Sequence, residues 1–343
     1  MVRKPMKYKA RVIAEYKGAY KVKNNGSEFL AKVTGKRMFN ALSREDYPAV
    51  GDWVIIEEFP EQQAVIKEIL PRHTIIKRTH KDRGRMGGKN EMQIIATNID
   101  VAFVVESVDR DFNLNRFERY FAIAKDGGVK PAIILNKIDL ITKDELDVKL
   151  NQIKNRFGDV DFILTSIITN EGLKEFKNYM ETGKTYCFLG SSGVGKSSLI
   201  NKLLGENIIR TENISAITGK GRHTTTNREM YFLKNGAIVV DNPGMREVGM
   251  TDANMGIDNL FDEINILAKK CKYLDCTHIH EPGCEVLFAL KSGKLDEDKY
   301  SNYINLKKEV EHYEMNESEK RERDKQFGKF VKNAKKELKK YKH

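Results

Sequence analysis

The sequence predicts three folded units: a small N-terminal β-barrel, a mostly parallel α/β domain and a mostly helical C-terminal region. Three observations predict them. Short apolar runs separated by turn residues fill the N-terminal part, apolar runs then alternate with helical segments, and a cluster of cysteines interrupts helical sequence near the C-terminus. We place the units at residues 1–71, 94–255 and 256–343, with a basic connector at residues 72–93.

Five apolar or alternating runs form the first unit. They are Lys9–Tyr16, Tyr20–Lys23, Phe29–Val33, Asp52–Glu57 and Ala64–Ile69. Because turn residues separate them, five short strands in this length predict a closed barrel of the OB type, which frequently carries nucleic-acid binding. Trp53, the only tryptophan, could stack on a base, although a single Trp in a strand more often belongs to the core.

Basic residues concentrate in two places. The connector contains many Lys and Arg residues with three glycines among them, and we expect a mobile loop there, with contact to RNA phosphates as a second use. The segment Lys320–His343 contains eleven Lys or Arg and three acidic residues, in a chain of net charge +11. Such an arm suits a polyanion, because each neutralised phosphate releases counterions, whereas the alternative is a solvated helix that aids solubility.

The second unit alternates strands and helices. The predicted buried strands are Val101–Glu106, Ala132–Leu135, Asp161–Thr165, Tyr186–Leu189 and Ala237–Val240. The predicted helices are Arg116–Ala124, Glu145–Phe157, Leu173–Met180 and Lys196–Leu204. This alternation predicts a mostly parallel sheet covered on both faces.

Composition limits the class of protein. With 40% hydrophobic residues among 343, the chain can form real cores, which argues against wholesale disorder. No apolar run approaches the roughly 18 residues that would span a bilayer. The N-terminus shows no apolar signal segment, so we expect a cytoplasmic protein, and nothing in the sequence demands more than a monomer.

A phosphate-binding loop lies between a predicted strand and a predicted helix. The residues are Gly190, Ser191, Ser192, Gly193, Val194, Gly195, Lys196 and Ser197, followed by Ser198, and they match G-x-x-x-x-G-K-S in full. The glycines let backbone N–H groups converge on phosphates, Lys196 supplies positive charge, and the Ser197 hydroxyl can ligate Mg²⁺. The loop therefore predicts a nucleotide site with bound magnesium.

A second motif selects the base. Asn136-Lys137-Ile138-Asp139 closes the apolar strand that ends at Leu135, at the edge where open α/β sheets bind ligands. The Asp139 carboxylate can accept hydrogen bonds from guanine N1–H and N2–H₂, whereas adenine offers no such donor pair. Sites built in this way reject analogues by factors of about 10⁴ to 10⁵. Guanine is therefore predicted, with Asn136 and Lys137 bracing the loop.

A third group of residues follows the phosphate-binding loop. Asp241-Asn242-Pro243-Gly244 comes directly after a strand, where an Asp can hold the Mg²⁺ shell and the Gly244 N–H can contact the γ-phosphate. Between them lies Gly221-Arg222-His223-Thr224-Thr225-Thr226. Either Thr225 or Thr226 is expected to ligate Mg²⁺, and an ordinary β edge is the alternative interpretation of this stretch.

The order of these motifs is rotated. An ordinary GTPase has the phosphate loop first and the N-K-x-D loop near its end, whereas here Asn136 to Asp139 and then Thr165-Ser166 precede the phosphate loop. The set is complete, so we infer a circular permutation, which a fold with neighbouring termini tolerates. The fold class predicted is thus an N-terminal OB-type β-barrel, a central circularly permuted α/β P-loop GTPase domain and a C-terminal helical domain.

The chain resembles the RsgA family of circularly permuted GTPases that depend on the small ribosomal subunit. The resemblance covers nearly the whole chain, including GSSGVGKSS at 190–198, GRHTTT at 221–226 and the cysteine cluster. It implies GTP hydrolysis stimulated by the small (30S) subunit, binding to its rRNA and a role in late maturation of that subunit. The family usually has Thr where this chain has Asn242, a position that contacts neither phosphate nor metal.

The position after Gly244 bears on catalysis. Met245 stands where many GTPases have a Gln that orients water, and a thioether cannot do so, so slow intrinsic hydrolysis is expected. His223 is the nearest candidate to take over this role. A purely structural hydrogen bond within its own loop is the alternative for His223.

The cysteine cluster predicts a metal site. Cys271, Cys276, His278 and Cys284 offer three thiolates and one imidazole, the set of a closed structural Zn²⁺ site, in a chain without an export signal. His280 is the rival ligand, but the spacing C-x4-C-x-H-x5-C of the resembled family favours His278. Unrelated buried cysteines are the alternative interpretation.

Three other functions stay open at this point. A non-catalytic RNA-binding module could use GTP only as an occupancy signal, a possibility that Met245 supports. A P-loop ATPase or kinase is disfavoured by Asn136-Lys137-Ile138-Asp139. A permuted GTPase of the large subunit is disfavoured by the N-terminal barrel together with the C-terminal zinc site.

Overall fold

The computed structural model describes residues 7–35, 44–81, 90–109, 112–206, 209, 228–241, 253–315, 319 and 325. Most of the basic segment Lys320–His343 therefore lies outside the described residues. No helix of the described chain is long and apolar enough to cross a membrane.

The N-terminal strands close into a barrel, as predicted. They are β1 (Lys7–Tyr16), β2 (Ala19–Asn24), β3 (Ser27–Val33), β4 (Trp53–Phe59) and β5 (Gln63–Ile69). The order is β1-β2-β3-β5-β4, and β4 pairs back onto β1, with only the β3–β5 pair parallel. Alternate apolar side chains such as Val12, Val22 and Ile56 fill the interior.

Trp53 stands apart from that interior. Its side chain is only partly buried, and it is not a member of the barrel's core cluster. The Lys9 Nζ lies 4.4 Å from the centroid of its ring and the Arg11 Cζ lies 5.3 Å away. Cations therefore lie over the ring that could otherwise stack on a base.

The basic connector is not the loop expected from its composition. Two strands, β6 (Ile75–Lys81) and β7 (Asn90–Thr97), form an antiparallel pair, while residues 82–89 lie outside the described residues. The expectation was wrong for these strands because their apolar ends are anchored. Ile76 and Ile95 are fully or almost fully buried in the main core, which the Lys and Arg content concealed.

The central sheet has the predicted parallel architecture. Its strands are β8 (Val101–Ser107), β9 (Lys130–Asn136), β10 (Phe162–Thr165), β11 (Thr185–Leu189), β12 (Glu229–Phe232) and β13 (Ile238–Asp241). The order is β10-β9-β8-β11-β13-β12, and every strand is parallel except β12, which the sequence reasoning missed. At Ala14 and Glu229, β12 also pairs with β1 and so joins sheet to barrel.

Helices cover both faces of this sheet. They are α1 (Leu114–Asp126), α2 (Lys143–Phe157), α3 (Leu173–Tyr179) and α4 (Lys196–Leu204). Strand β8 is buried throughout and divides its side chains between two cores, Ala102 and Val104 on one face, Phe103 and Val105 on the other.

The C-terminal region is helical and packs on the central domain. Its helices are α5 (Asn254–Leu260), α6 (Asp262–Ala268), α7 (Glu285–Lys291) and α8 (Glu297–Glu314). The cysteine cluster lies between α6 and α7. Side chains such as Phe261, Tyr303 and Val310 belong to the same buried cluster as one face of the central sheet, so the two regions share a core.

Candidate nucleotide site and metal centre

The sequence motifs converge at one edge of the sheet. The phosphate-binding loop joins β11 to α4, and the Asn136 motif begins at the last residue of β9. Thr165 ends β10 and Asp241 ends β13. These four strands are parallel, so their carboxyl ends lie at the same edge, where open α/β sheets bind ligands.

Two glycines of the phosphate loop have no room for a side chain. At Gly190, where φ is +144°, an added Cβ would lie 2.3 Å from the Val105 carbonyl oxygen. At Gly195, where φ is +100°, it would lie 2.3 Å from the Asn136 Nδ2 atom. The loop is thus packed against β8 and the Asn136 motif, and its close approach requires glycine.

Lys196 begins helix α4 and folds back over the loop. Its Nζ donates hydrogen bonds to the carbonyl oxygens of Gly190, at 2.7 Å, and of Ser191. The ammonium therefore lies above the loop at the N-terminus of a helix, where free N–H groups and the helix dipole favour an anion. This arrangement suits a phosphate group.

Asn136 fastens three of the motifs together. It is fully buried, and its Nδ2 donates to the Val194 carbonyl oxygen at 2.8 Å. Its Oδ1 accepts from the Thr165 Oγ1 at 3.0 Å. The side chain therefore sets the distance between the end of β9, the phosphate loop and the end of β10.

Asp139 is positioned by its neighbours. The Ser166 Oγ donates to the Asp139 Oδ1 at 2.5 Å, and the same Oγ accepts from the Thr169 N–H at 3.1 Å. Gly172 ends this turn with φ of +68°, and a Cβ there would lie 1.7 Å from the Leu164 carbonyl oxygen. The structure thus holds the carboxylate in a fixed direction, as a hydrogen-bonding reader of a base requires.

Asp109 joins the site although the sequence reasoning missed it. Lys137 adopts a left-handed backbone conformation, with φ of +63°, and its Nζ pairs with the Asp109 Oδ2 at 2.9 Å. The Asp109 Oδ1 accepts from the Ser107 Oγ at 2.7 Å. The available signal was position, since Asp109 lies two residues after Ser107, the last residue of β8.

The expected magnesium ligands are only partly described. Ser197 lies in the first turn of α4, and Asp241 ends β13, the parallel neighbour of β11. Hydroxyl and carboxylate oxygens are ligands that Mg²⁺ prefers, so this pair fits the ion. Four other predicted residues, His223, Thr225, Thr226 and Gly244, lie outside the described residues, as does Met245.

Arg116 and Glu106 lie beside the phosphate loop, and no sequence motif predicted them. The Arg116 Nη1 donates to the Ser191 Oγ at 3.0 Å. The Arg116 Nε lies 3.9 Å from an oxygen of Glu106, whose side chain is fully buried. Helix α1 thus contacts the phosphate loop through Arg116.

The cysteine cluster has the geometry of a metal site. The ligand atoms of Cys271, Cys276, His278 and Cys284 all lie within 4.8 Å of one another. The His278 Nδ1 lies 3.6 Å from the Cys271 Sγ and 3.4 Å from the Cys284 Sγ. Three sulfurs and one imidazole nitrogen at such distances fit a tetrahedral Zn²⁺ site.

Local structure favours His278 over His280 as the ligand. His278 is buried, and its backbone has a left-handed conformation, with φ of +62°. His280 is exposed, and among the described residues it is not part of the group of four ligands. Burial lowers the pKa of His278, which keeps its imidazole neutral and able to bind metal. The Tyr300 hydroxyl donates to its carbonyl oxygen at 2.7 Å.

Glu281 organises the loop between the ligands. Its carboxylate accepts from the Thr277 hydroxyl and from the N–H groups of Thr277, Ile279 and His280, at 3.0, 3.1 and 3.2 Å for the three amides. These hydrogen bonds hold the pKa of Glu281 well below its usual range. The loop therefore has a fixed shape that presents His278.

The strand order and this site define a circularly permuted P-loop GTPase domain. A family model described as RsgA GTPase matches residues 69–251, and a second, described as 50S ribosome-binding GTPase, matches residues 185–322. The chain belongs to the RsgA GTPase family.

Relatives with this name cover most of the chain. "Small ribosomal subunit biogenesis GTPase RsgA 2" of Lactiplantibacillus plantarum is 42% identical, over 89% of this chain and 84% of its own length. "Small ribosomal subunit biogenesis GTPase RsgA 1" of Bacteroides thetaiotaomicron is 38% identical, over 95% of this chain and 90% of its own length.

Solved structures agree on the fold. YjeQ from Thermotoga maritima superposes with a TM-score of 0.64 at 24% identity, covering 89% of this chain and 99% of that one. YloQ, a circularly permuted GTPase, superposes with a TM-score of 0.62 at 21% identity, covering 90% of this chain and 97% of that one. The permutation inferred from the motif order is therefore confirmed.

Proposed function

We propose that this protein hydrolyses GTP to GDP and phosphate and acts as an assembly factor in late maturation of the small (30S) ribosomal subunit. One observation carries the nucleotide part: Ser166 fixes the Asp139 carboxylate at the same sheet edge as the phosphate loop. The names of its relatives support the ribosomal part.

The nucleotide contacts follow from the site. Asp139 accepts the two N–H donors of guanine, Asn136 and Lys137 hold the base loop, and Ser166 orients the carboxylate. The phosphates lie against the loop, whose proposed contacts are Gly190, Ser191, Ser192, Gly193, Val194, Gly195, Lys196, Ser197 and Ser198. Thr165 contributes through its hydrogen bond to Asn136.

Hydrolysis requires charge neutralisation and an oriented water. Lys196 supplies positive charge at the phosphates, while Ser197, Asp241 and either Thr225 or Thr226 would hold Mg²⁺. When bound with GTP, this ion neutralises charge that develops on the phosphate oxygens. Gly244 would contact the γ-phosphate. His223 would orient the water, a role that a Gln at the position of Met245 has in many GTPases.

The OB barrel and the basic C-terminal segment are proposed to bind rRNA. We propose domain bounds of 1–71, 94–255 and 256–343, with the connector between the first two. Along the sequence, the OB barrel then precedes the GTPase domain and the basic tail follows it. A structural zinc ion on Cys271, Cys276, His278 and Cys284 would fix the C-terminal domain. We place the protein in the cytoplasm, as a monomer.

The test is GTP hydrolysis by the purified protein, alone and with isolated 30S or 50S subunits. We expect slow hydrolysis alone and strong stimulation by 30S subunits only. Stimulation by 50S subunits instead would favour the second family model, which is described as 50S ribosome-binding. Equal competition by ATP and GTP would overturn the assignment of guanine to Asp139.

A second function has one observation in its favour. Met245 cannot orient water, which suits a nucleotide-gated RNA-binding module with negligible hydrolysis. Such a module would bind 30S subunits in a manner that depends on GTP, yet would release no phosphate there. The same assay with 30S subunits therefore separates the two functions.

A further inference from the structure

Helix α1 contacts the phosphate loop through a side chain of its first turn. Arg116 lies in the first turn of α1, and its Nη1 donates to the Ser191 Oγ at 3.0 Å. Arg116 is held from behind by the buried Glu106, with 3.9 Å between the Arg116 Nε and a carboxylate oxygen. Any shift of α1 along its axis therefore moves a hydrogen-bond donor against the loop.

A second face of α1 is joined to the C-terminal region. Arg119 forms a two-pronged ion pair with Glu309 of α8, with distances of 2.6 and 2.7 Å between nitrogens and oxygens. Asn115 donates to the Asp298 Oδ1 at 3.2 Å. At Gly256 of α5 an added Cβ would lie 2.0 Å from the Ala122 carbonyl oxygen, so these helices are in close contact.

A buried charge cluster strengthens this junction. Glu118 is almost fully buried, accepts from the Arg156 Nε at 2.7 Å and also accepts from the Asn302 Nδ2 of α8. The Arg156 Nη1 donates in turn to the Asp296 Oδ1, which caps α8, at 2.7 Å. Two-pronged and buried ion pairs hold one geometry, because breaking them leaves charges without partners.

We propose that α1 is a relay by which the C-terminal helices control the affinity of the phosphate loop for nucleotide, with Arg116 as the positioning residue at the loop. The proposal rests on the proposed function, since it concerns the same nucleotide site. A partner that displaces α8 would move α1 through Arg119. The movement of α1 would shift Arg116 and Ser191 and so change the affinity of the phosphate loop for the β-phosphate.

The test is a double-mutant cycle on nucleotide affinity in the full-length protein. We would measure the affinity for fluorescently labelled GDP, and for unlabelled GDP and GMP by competition, in four proteins: the parent chain, Glu309→Gln, Arg116→Met and the combined variant. Glu263→Gln is the matched control. It removes an ion pair of the C-terminal helices, 3.0 Å from Lys299, that does not involve α1.

The relay predicts non-additive effects on GDP alone. Glu309→Gln should weaken GDP binding about fivefold, at the lower end of usual allosteric coupling, and leave GMP affinity unchanged, because GMP has no β-phosphate. The combined variant should bind GDP no more weakly than Arg116→Met, since the second change acts through the first. Glu263→Gln should bind GDP as the parent chain does.

Three outcomes would overturn the relay: unchanged GDP affinity in Glu309→Gln, additive effects in the combined variant, or equal losses for GDP and GMP. The last would indicate general loosening of the fold. A parent chain that binds no GDP would instead refute the proposed function, and with it the relay, so the two failures are distinguishable.

Discussion

Asn136 donates from its Nδ2 to the carbonyl oxygen of Val194, 2.8 Å away in the interior of the protein. These residues are 58 positions apart, one at the end of strand β9 and the other in the phosphate loop. The same amide accepts from the Thr165 Oγ1. Three segments that come together at the nucleotide are thus held by one side chain.

Replacing Asn136 should therefore weaken both stability and nucleotide binding. Asn136→Ala leaves the Val194 carbonyl and the Thr165 hydroxyl buried without this partner, at a cost of about 1–3 kcal/mol for each group. Thr165→Val, which removes only one of the two hydrogen bonds, is the control and should cost less. Urea unfolding followed by circular dichroism measures the loss, and equal stability of Asn136→Ala and the parent chain would contradict it.

Asp139→Asn should change the preferred base. An amide presents an N–H donor where the carboxylate accepted, so it repels the donors of guanine and matches xanthine, which carries an oxygen at C2. The affinity for GDP should fall by about 10³-fold or more, since the site's polar groups lose their partners. Competition of GDP and xanthosine diphosphate for the site measures this, and retained GDP preference would show that Asp139 does not read the base.

The motifs were predictable from sequence because each is a short stretch whose chemistry is local. The phosphate loop, the Asn136 motif and the order that reveals the permutation needed no long-range contact. The β6–β7 pair was missed, because the signal from Ile76 and Ile95 is outweighed by the surrounding Lys and Arg residues. Arg116 was missed for another reason: its contact with Ser191 joins residues 75 positions apart that follow no shared pattern.

Gly195→Ala should disrupt the site by displacing Asn136. The added Cβ would lie 2.3 Å from the Asn136 Nδ2, closer than real contacts allow, and φ of +100° disfavours any side chain. Gly183→Ala is the matched control, because Gly183 also has positive φ, +80°, but has nothing within 4 Å of an added Cβ. We expect GDP binding to be lost in Gly195→Ala and kept in Gly183→Ala. Similar affinities in both would show that the contact with Asn136 is not limiting.

Neutralising Asp52 should lower the stability of the protein where the barrel meets the β6–β7 pair. Asp52 is fully buried and accepts from the Arg72 Nε and Nη2, each at 2.8 Å, and from the Thr97 Oγ1 at 2.7 Å. Asp52→Asn leaves a guanidinium without its countercharge, which costs about 3–5 kcal/mol for a buried pair. Thr97→Val should cost only about 1 kcal/mol, the usual worth of one hydrogen bond. Thermal unfolding of the two variants compares them, and equal losses would contradict the dominant role of the ion pair.

The metal centre gives the last prediction, because two histidines two residues apart offer a matched pair. His278→Ala removes an imidazole whose Nδ1 lies 3.4 Å from the Cys284 Sγ, whereas His280→Ala removes an exposed side chain outside the grouped ligands. The purified parent chain and His280→Ala should each carry a stoichiometric amount of zinc, and His278→Ala much less. Since zinc binding is coupled to folding, a chelator should lower the melting temperature of the first two far more than that of His278→Ala. Loss of zinc in His280→Ala, with zinc retained in His278→Ala, would show that His280 and not His278 is the zinc ligand. Zinc in neither the parent chain nor any variant would mean that the three thiols and the imidazole serve another metal or none.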